Sequence, residues 1–284
     1  SRPGRQAVSP RSSAHTNPTT NPIEAAFERL RAEKRRGLIP FLIGGHPTID
    51  HFRNLLLAVD DAGADVIEVG LPFSDPIADG PVIASAMHRT LDAGVTIDAA
   101  LNATQQTAHD LRAPLAAMTS VSLIHRSGPD AFCRRLKDAG FAGIIVPDAP
   151  LEEAPPIADA AASHGLTTTL LIAPSTPADR AEKIARKSSG FIYLLARAGV
   201  TGERTNAPAP DLEHRVDSLR RATDLPIACG FGIATPEHAR SVTRTADAAI
   251  VGSAIIRAID LAEHTDPAKA AAALVAALRQ AIDA

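Results

Sequence analysis

One stretch of the chain joins an apolar, strand-like run to a long loop: Val66-Ile-Glu-Val-Gly70 is followed, one residue later, by Pro72-Phe-Ser-Asp-Pro-Ile-Ala-Asp-Gly-Pro-Val82. The Val and Ile residues around Glu68 favour a buried strand, and the Pro, Gly and Asp residues favour a loop. The sequence therefore predicts one carboxylate, Glu68, within a strand and a second, Asp79, in the loop that follows it.

The same alternation of a short apolar run with a longer Ala-rich amphipathic stretch continues along the chain. It predicts eight strands, at 38–43, 65–70, 114–119, 143–147, 167–172, 190–196, 225–229 and 246–251. It also predicts an N-terminal helix from Pro22 to about Arg36. Further helices are predicted at 49–63, 98–112, 129–140, 151–164, 177–188, 211–222, 236–244 and 267–283, with extra short helices at 81–93 and 253–260 after strands two and eight.

Local start and stop signals support these helices. Thr176-Pro177 and Thr235-Pro236 each predict an N-cap followed by a proline at the first helical position. Gly63, Gly140 and Gly165 predict helix ends, because glycine accepts the left-handed backbone that follows many helices.

Regular alternation of strands and helices, with strands that are apolar almost throughout, indicates a parallel sheet covered on both faces. Eight such units favour a closed (β/α)8 TIM barrel over an open doubly wound sheet, and no GxGxxG motif follows the first strand. Because no linker-like segment interrupts the pattern, the sequence predicts one barrel domain over residues 22–284.

Composition excludes several functions. The net charge of -3 provides no overall positive field for nucleic acid or anionic lipid. No apolar run approaches the roughly 20 residues that a membrane-spanning helix needs. Cys133 and Cys229 form no CxxC pair, and the His residues show no HExxH-type spacing, so we predict reduced thiols, no metal and a cytoplasmic location.

Residues 1–21 differ from the rest of the chain, since they are rich in Ser, Pro, Thr and Arg and contain no Asp or Glu. Such a segment cannot bury enough apolar surface to offset its ordering entropy, so it is predicted to be a disordered leader. It lacks the apolar core of a secretory signal. Its composition is also typical of an organelle transit peptide, which leaves an organelle as the alternative location.

The two carboxylates have functional and structural interpretations. Catalytic groups of a (β/α)8 barrel lie at the carboxyl ends of the strands and in the loops that follow them. An inward-pointing Glu68 would have a raised pKa and could donate and accept a proton. The alternative for Glu68 is a structural acid paired with Lys or Arg, and the alternative for Asp79 is an Asx turn or a helix N-cap.

Glycine turns follow the last three predicted strands, at 199–202, 230–232 and 252–253. Small residues let backbone N–H groups approach a phosphate, and a helix that begins near Ser253 would add a favourable dipole. Barrels often bind phosphate at the loops after strands seven and eight. The pattern therefore predicts a phosphate-bearing ligand, bound by Gly202, Gly232, Gly252 and Ser253.

The segment 72–81 closely resembles the signature of the tryptophan synthase alpha subunit family. The resemblance extends from about Phe27 to near the C-terminus. It includes further segments, which are Pro40-Phe41, Asp61-Ala-Gly-Ala-Asp65, Ile145-Val-Pro-Asp148-Ala-Pro150, Tyr193-Leu-Leu-Ala-Arg197-Ala-Gly199-Val-Thr-Gly202, Gly230-Phe-Gly-Ile233 and Gly252-Ser-Ala-Ile255.

The resemblance implies a lyase that cleaves indole-3-glycerol phosphate to indole and glyceraldehyde 3-phosphate, with no metal or cofactor in this chain. It implies that Glu68 is the general acid/base, that Asp79 is the carboxylate facing the indole N–H, and that Tyr193 is an active-site tyrosine. It also implies an apolar indole pocket, although simple core packing explains these side chains equally well: Phe41, Ile145, Leu171 and Phe231.

The family's alpha subunit works in an α2β2 complex with a beta subunit that carries pyridoxal phosphate (PLP), and indole passes between them through a tunnel. The resemblance therefore implies a beta subunit partner that would hold the PLP. Asp75, and the loop over 197–206 with Arg197 and Thr201, resemble the segments that close over the site and signal to that partner.

Three places depart from the usual family residues: His46, Ala84 and the segment 118–125. They lie near the family's indole pocket or tunnel mouth, and His46 is interpreted as neutral filling of a loop. These departures keep open a stand-alone lyase that releases free indole. A non-catalytic activator that docks on a beta subunit is disfavoured because both carboxylates and the glycine turns are present. Another phosphosugar barrel would lack the segment 72–81.

Overall fold

The computed structural model describes residues 20–75, 79–196, 211–230 and 232–284. Its strands form a closed parallel barrel in the order β1 to β8, so the predicted (β/α)8 barrel is confirmed. The strands are β1 (Gly37–Ile43), β2 (Ile67–Gly70), β3 (Leu115–Met118), β4 (Phe141–Val146), β5 (Thr167–Ile172), β6 (Ile192–Leu195), β7 (Ile227–Gly230) and β8 (Ala248–Val251).

Helices surround the barrel and cover its outer face. Within the described residues they are α1 (Pro22–Ala32), α2 (Ile49–Asp61), α3 (Pro81–Asp92), α4 (Ile97–Ala108), α5 (Val121–Ser127), α6 (Pro129–Asp138), α7 (Ala154–Ser163), α8 (Ala178–Lys187), α9 (Leu212–Ala222), α10 (Pro236–Thr243), α11 (Ser253–Leu261) and α12 (Pro267–Asp283). The short helices predicted after strands two and eight are α3 and α11, which are therefore confirmed.

Double-sided burial explains why the strands are apolar without alternation. Every residue of β1, β2, β3, β4, β7 and β8 is buried, with one side of each strand towards the barrel interior and the other towards the helices. Because the strands are parallel, all of their carboxyl ends meet at one rim of the barrel. Near this rim, Glu68 of β2 pairs with Phe41 of β1, and Tyr193 of β6 pairs with Leu171 of β5.

The capping predictions are largely confirmed. Thr235 is the N-cap of α10 and its hydroxyl accepts a bond from His238 N. Gly63, Gly140 and Gly165 have positive φ after their helices. The start of α8 was predicted one residue early, because Pro177 rather than Thr176 is the N-cap.

The sequence also placed the end of the N-terminal helix too late and missed one helix entirely. The N-terminal helix ends at Ala32 rather than near Arg36, since Lys34 adopts a left-handed backbone with φ of 55° before β1 begins. The helix α5 was missed because its residues carry no clear apolar period. The available signal was Ser120, whose hydroxyl caps α5 by accepting a bond from Ser122 N.

The amino-terminal segment lies mostly outside the described residues, so its assignment as a disordered leader stays a prediction. The described chain starts at Thr20, and Asn21 caps α1 while its side chain donates to the carbonyl oxygens of Ala142 and Gly165. None of the helices in the described ranges combines the length and apolar character of a membrane span.

A buried ion pair ties the last helix to the opposite, amino-terminal end of the barrel. Arg279 on α12 donates to Asp65 at 2.8 Å, and both side chains are largely buried. Asp65 also accepts a bond from Leu38 N at the start of β1. The guanidinium of Arg279 therefore neutralises a carboxylate that links β1 to the chain entering β2.

We predict that Arg279→Met lowers the free energy of unfolding by about 3–5 kcal/mol, because it leaves Asp65 buried without its counter-charge. Urea unfolding at neutral pH measures this change. The control is Arg134→Met, which breaks an exposed pair with Asp130 and should cost less than about 1 kcal/mol. Equal effects of the two substitutions would contradict the prediction.

Candidate functional site

Glu68 lies inside β2 and is 0% exposed. Both of its carboxyl oxygens are buried without a hydrogen-bond partner among the described residues, so none of the described Lys or Arg side chains pairs with it as a structural acid would require. Burial, and then the nearby charge of Asp79, raises the pKa of Glu68 well above its usual value. Glu68 can therefore hold a proton at neutral pH and deliver it to a reacting atom.

Asp79 is half-buried at the end of the loop between β2 and α3. The N-cap of α3 is Gly80, without a side-chain hydrogen bond, so the alternative that Asp79 caps this helix is wrong. Burial, and then the negative charge of Asp148, raises the pKa of Asp79 to about 6. At neutral pH Asp79 is thus mainly a carboxylate, whereas burial favours the protonated form of Glu68.

The sequence motif around Asp148 was noted, but its role was missed. One carboxylate oxygen of Asp148 accepts a bond from the Ser120 hydroxyl at 2.6 Å, and the other accepts from Val121 N at 2.9 Å. These two bonds hold Asp148 against the start of α5. From this position the charge of Asp148 disfavours a second negative charge on Asp79.

A single cavity at the rim brings most of the predicted site residues together. Its wall is mainly apolar, with Ile83, Met118 and Ile250 among the lining side chains. Of the predicted site residues, those that line it are Phe41, Glu68, Asp79, Leu171, Tyr193, Gly232, Gly252 and Ser253.

Tyr193 projects from β6 into this cavity and is buried. Burial, followed by the charges of Glu68 and Asp79, raises the pKa of Tyr193 well above its usual value, so its hydroxyl keeps its proton. Gly230 on β7 makes room for the ring, because a Cβ atom there would lie 2.9 Å from the Tyr193 hydroxyl oxygen.

The N-terminus of α11 forms another part of the cavity wall. Ser253 is the first residue of this helix, and its buried hydroxyl oxygen has no hydrogen-bond partner among the described residues. Gly252 caps the helix without a side-chain bond, so the helix dipole and first-turn N–H groups point towards the cavity. Arg257 also lines the cavity, and it was missed although it follows Ser253 by one helical turn.

The remaining predicted site residues do not line this cavity or lie outside the described residues. Ile145 is fully buried in β4 and is not among the side chains that line the cavity within the described chain. Asp75 is exposed, and lines a smaller adjacent cavity that also contacts Asp79. The described residues contain no cluster of three or more His, Cys, Asp or Glu side chains suited to a metal ion. Four predicted residues lie outside the described residues: Arg197, Thr201, Gly202 and Phe231.

A closed barrel whose rim combines an acid–base pair with an uncapped helix N-terminus defines a phosphate-binding (β/α)8-barrel enzyme. The profile of the family described as "Tryptophan synthase alpha chain" matches residues 27–283. This chain belongs to the tryptophan synthase alpha chain family.

Proteins called tryptophan synthase alpha chain are among the most similar relatives. The protein from Thermosynechococcus vestitus is 44% identical over 262 residues, which cover 92% of this chain and 97% of the relative. The protein from Rippkaea orientalis is 41% identical over 261 residues, with the same coverage of 92% and 97%.

Solved structures agree with the sequence comparison. The alpha subunit of tryptophan synthase from Legionella pneumophila superposes with a TM-score of 0.84 at 34% identity, covering 93% of this chain and 99% of that chain. A Mycobacterium tuberculosis tryptophan synthase structure gives a TM-score of 0.84 at 32% identity, covering 93% and 98%. These values identify the architecture of the whole described barrel as that of the family.

We predict that Glu68→Gln stabilises the fold, and increasingly so as the pH rises. The folded pKa of Glu68 lies above its ordinary value of 4.5. Between these two pKa values the unfolded chain releases a proton that the folded chain keeps, so wild-type stability falls with pH. Gln cannot ionise, and the difference should grow by up to about 1.4 kcal/mol per pH unit above pH 5.

Urea unfolding of both proteins from pH 5 to 7 measures this difference. Glu28→Gln, on the exposed face of α1, is the matched control and should change stability by nearly the same small amount at every pH. A constant difference for Glu68→Gln across the range would show that Glu68 is not buried as a neutral acid.

Proposed function

We propose that this chain catalyses the alpha reaction of tryptophan synthase, the retro-aldol cleavage of indole-3-glycerol phosphate to indole and glyceraldehyde 3-phosphate. The observation that carries the proposal is the pairing of a fully buried Glu68 with a half-buried Asp79 in one mainly apolar cavity, where the pKa of both carboxyl groups is raised. Membership of the tryptophan synthase alpha chain family supports the same reaction.

The chemistry requires one proton to be added and one to be removed. Glu68 donates its proton to indole C3, which gives an indoleninium ion whose positive charge spreads onto the ring nitrogen. The carboxylate of Asp79 stabilises this charge next to the N–H group. The bond between C3 and the glycerol chain then breaks as the hydroxyl on the departing carbon loses its proton to Glu68. The products are indole and the aldehyde, and Glu68 regains its original state.

Other parts of the cavity bind the two ends of the substrate. Phe41 and Leu171 supply apolar surface for the indole ring, and Tyr193 offers a neutral hydroxyl beside the carboxylates. At the phosphate end, Ser253 provides an unpartnered hydroxyl at the uncapped N-terminus of α11. Gly232 and Gly252, which line the same cavity, are also assigned to the phosphate. Three assignments rest on the family resemblance and sequence pattern alone: Ile145 and Phe231 for the indole pocket, and Gly202 for the phosphate.

A beta subunit completes the proposed enzyme. We infer that the chain assembles with a tryptophan synthase beta subunit as α2β2 in the cytoplasm, and that PLP belongs to that partner while this chain needs no cofactor. The proposal rests on the family and on the names of solved relatives such as tryptophan synthase from M. tuberculosis. Asp75, Arg197 and Thr201 are the proposed loop residues that close over the site and contact the partner.

Steady-state cleavage of indole-3-glycerol phosphate tests the function, with and without a tryptophan synthase beta subunit. We expect slow cleavage by the chain alone, strong stimulation by the beta subunit, and a loss of about 10²- to 10⁴-fold in Glu68→Gln, because the general acid is removed. Fast cleavage that ignores the beta subunit would indicate a stand-alone lyase that releases indole. Absence of cleavage under both conditions would contradict the catalytic proposal.

The pH dependence of kcat/KM should report the two carboxyl groups separately. Activity needs Asp79 ionised, so kcat/KM should rise as the pH passes through about 6. It should fall again at the higher pH where Glu68 loses its proton. We predict that Asp79→Asn removes the acid limb and lowers kcat/KM by about 10²- to 10³-fold, since a charge-stabilising group is lost.

Asp217→Asn is the control, because Asp217 is exposed on α9. This variant should keep the wild-type profile in both limbs. An acid limb near pH 6 that persists in Asp79→Asn would assign that limb to another group.

A further inference from the structure

His46 lies in the loop that follows β1, is 3% exposed, and uses both ring nitrogens. Its Nδ1 atom is 3.1 Å from the Thr90 hydroxyl on α3, and its Nε2 atom is 2.8 Å from a carboxylate oxygen of Asp260 on α11. The other oxygen of Asp260 accepts a bond from Arg89 of α3 at 2.7 Å. The interpretation of His46 as neutral loop filling is therefore wrong, because its ring joins two helices.

The two helices joined by His46 carry the two ends of the reaction cavity. The helix α3 begins directly after Asp79 and Gly80, and its Ile83 lines the cavity. The helix α11 begins at Ser253, which also lines the cavity. The two helices also pack against each other.

The two residues that His46 contacts are equally far along their helices from a residue that lines the cavity. Thr90 follows Ile83 by seven residues, and Asp260 follows Ser253 by seven residues. Two helical turns, about 10 Å, separate the two members of each pair, which lie on the same helix face. A shift of either contact would therefore move one wall of the cavity relative to the other.

The hydrogen bonds also define which ring nitrogens of His46 carry a proton. An ionised carboxylate only accepts, so Nε2 must carry a proton towards Asp260. The Thr90 hydroxyl is close to the Ala86 carbonyl oxygen as well, at 2.8 Å, but it has one proton to donate. With a neutral ring this proton goes to Nδ1, and with a charged ring it goes to Ala86.

Burial of His46 favours the neutral ring. Burial lowers the pKa of His46, and the positive charge of Arg89 acts in the same direction. The hydrogen bond and charge of Asp260, and the more weakly acting charge of Glu263, oppose this effect. The ring is therefore an uncharged donor to Asp260 and an acceptor from Thr90 at neutral pH.

We propose that His46 is a positioning residue of the alpha reaction: by joining Thr90 on α3 to Asp260 on α11, it sets the spacing between the carboxylate end and the phosphate end of the cavity. The inference rests on the proposed function, because a substrate that spans both ends is what makes their spacing matter. A purely structural contact would affect stability without distinguishing long ligands from short ones.

The test compares a ligand that spans both ends with one that occupies a single end. In His46→Leu both hydrogen bonds are lost, and we expect kcat/KM for indole-3-glycerol phosphate to fall about tenfold or more, since small displacements of reacting groups reduce rates strongly. Binding of glycerol 3-phosphate, measured by calorimetry, should stay within about twofold, because the phosphate end itself is unchanged.

His46→Gln provides the rescue variant, because its amide is an uncharged donor to Asp260 and an acceptor from Thr90. It should restore most of the kcat/KM lost in His46→Leu. The matched control is His164→Leu, which removes a ring that is 2.8 Å from Asp130 at the C-cap of α7 and should leave both measurements unchanged. If His46→Leu does not fold, Thr90→Val and His46→Gln make the same comparison with smaller changes.

The outcomes separate this inference from the proposed function. Absence of cleavage by the wild-type chain, with a beta subunit present, would contradict the function itself. Normal wild-type cleavage with an unaffected His46→Leu would overturn the positioning role alone. A similar loss of glycerol 3-phosphate binding and kcat/KM would also overturn it, because the damage would then lie at the phosphate end rather than in the spacing.

Discussion

Closure of the eight-stranded parallel barrel is the constraint on which the rest of the structure depends. Closure pairs β1 with β8 and places every strand's carboxyl end at one rim. Glu68 from β2, Tyr193 from β6 and Ser253 after β8 therefore line one cavity although they are far apart in sequence. The same closure forces the strands to be buried on both faces, which explains their continuous apolar composition.

Burial of Glu68 connects this architecture to chemistry. A carboxyl group without a hydrogen-bond partner is costly inside a protein, and it avoids the larger cost of a buried charge by keeping its proton. Asp79 is less deeply buried, and its pKa is raised to about 6. One environment therefore sets two carboxyl groups in different states, as a proton donor and a charge stabiliser require.

Sequence patterns predicted the barrel, its strands and eight of the residues that line the cavity. Apolar periodicity and turn residues are local properties, so they identified the eight strands and the caps at Thr235 and Gly63. The helix α5 was missed because it is short and has no clear period, and Arg257 was missed because a helical surface cation has many other uses. Ile145 was expected in the indole pocket, but its side chain does not reach the cavity formed by the described residues.

The sequence by itself determined the fold class, the family resemblance and the identity of both carboxylates, since these depend on residue order within short segments. Only the tertiary structure decided that Glu68 has no hydrogen-bond partner among the described residues, that Asp148 acts on Asp79, and that His46 joins α3 to α11. The physical reason is that burial and hydrogen bonding of these groups depend on residues from distant segments. Barrel closure brings those segments together, and no local pattern specifies the contact that results.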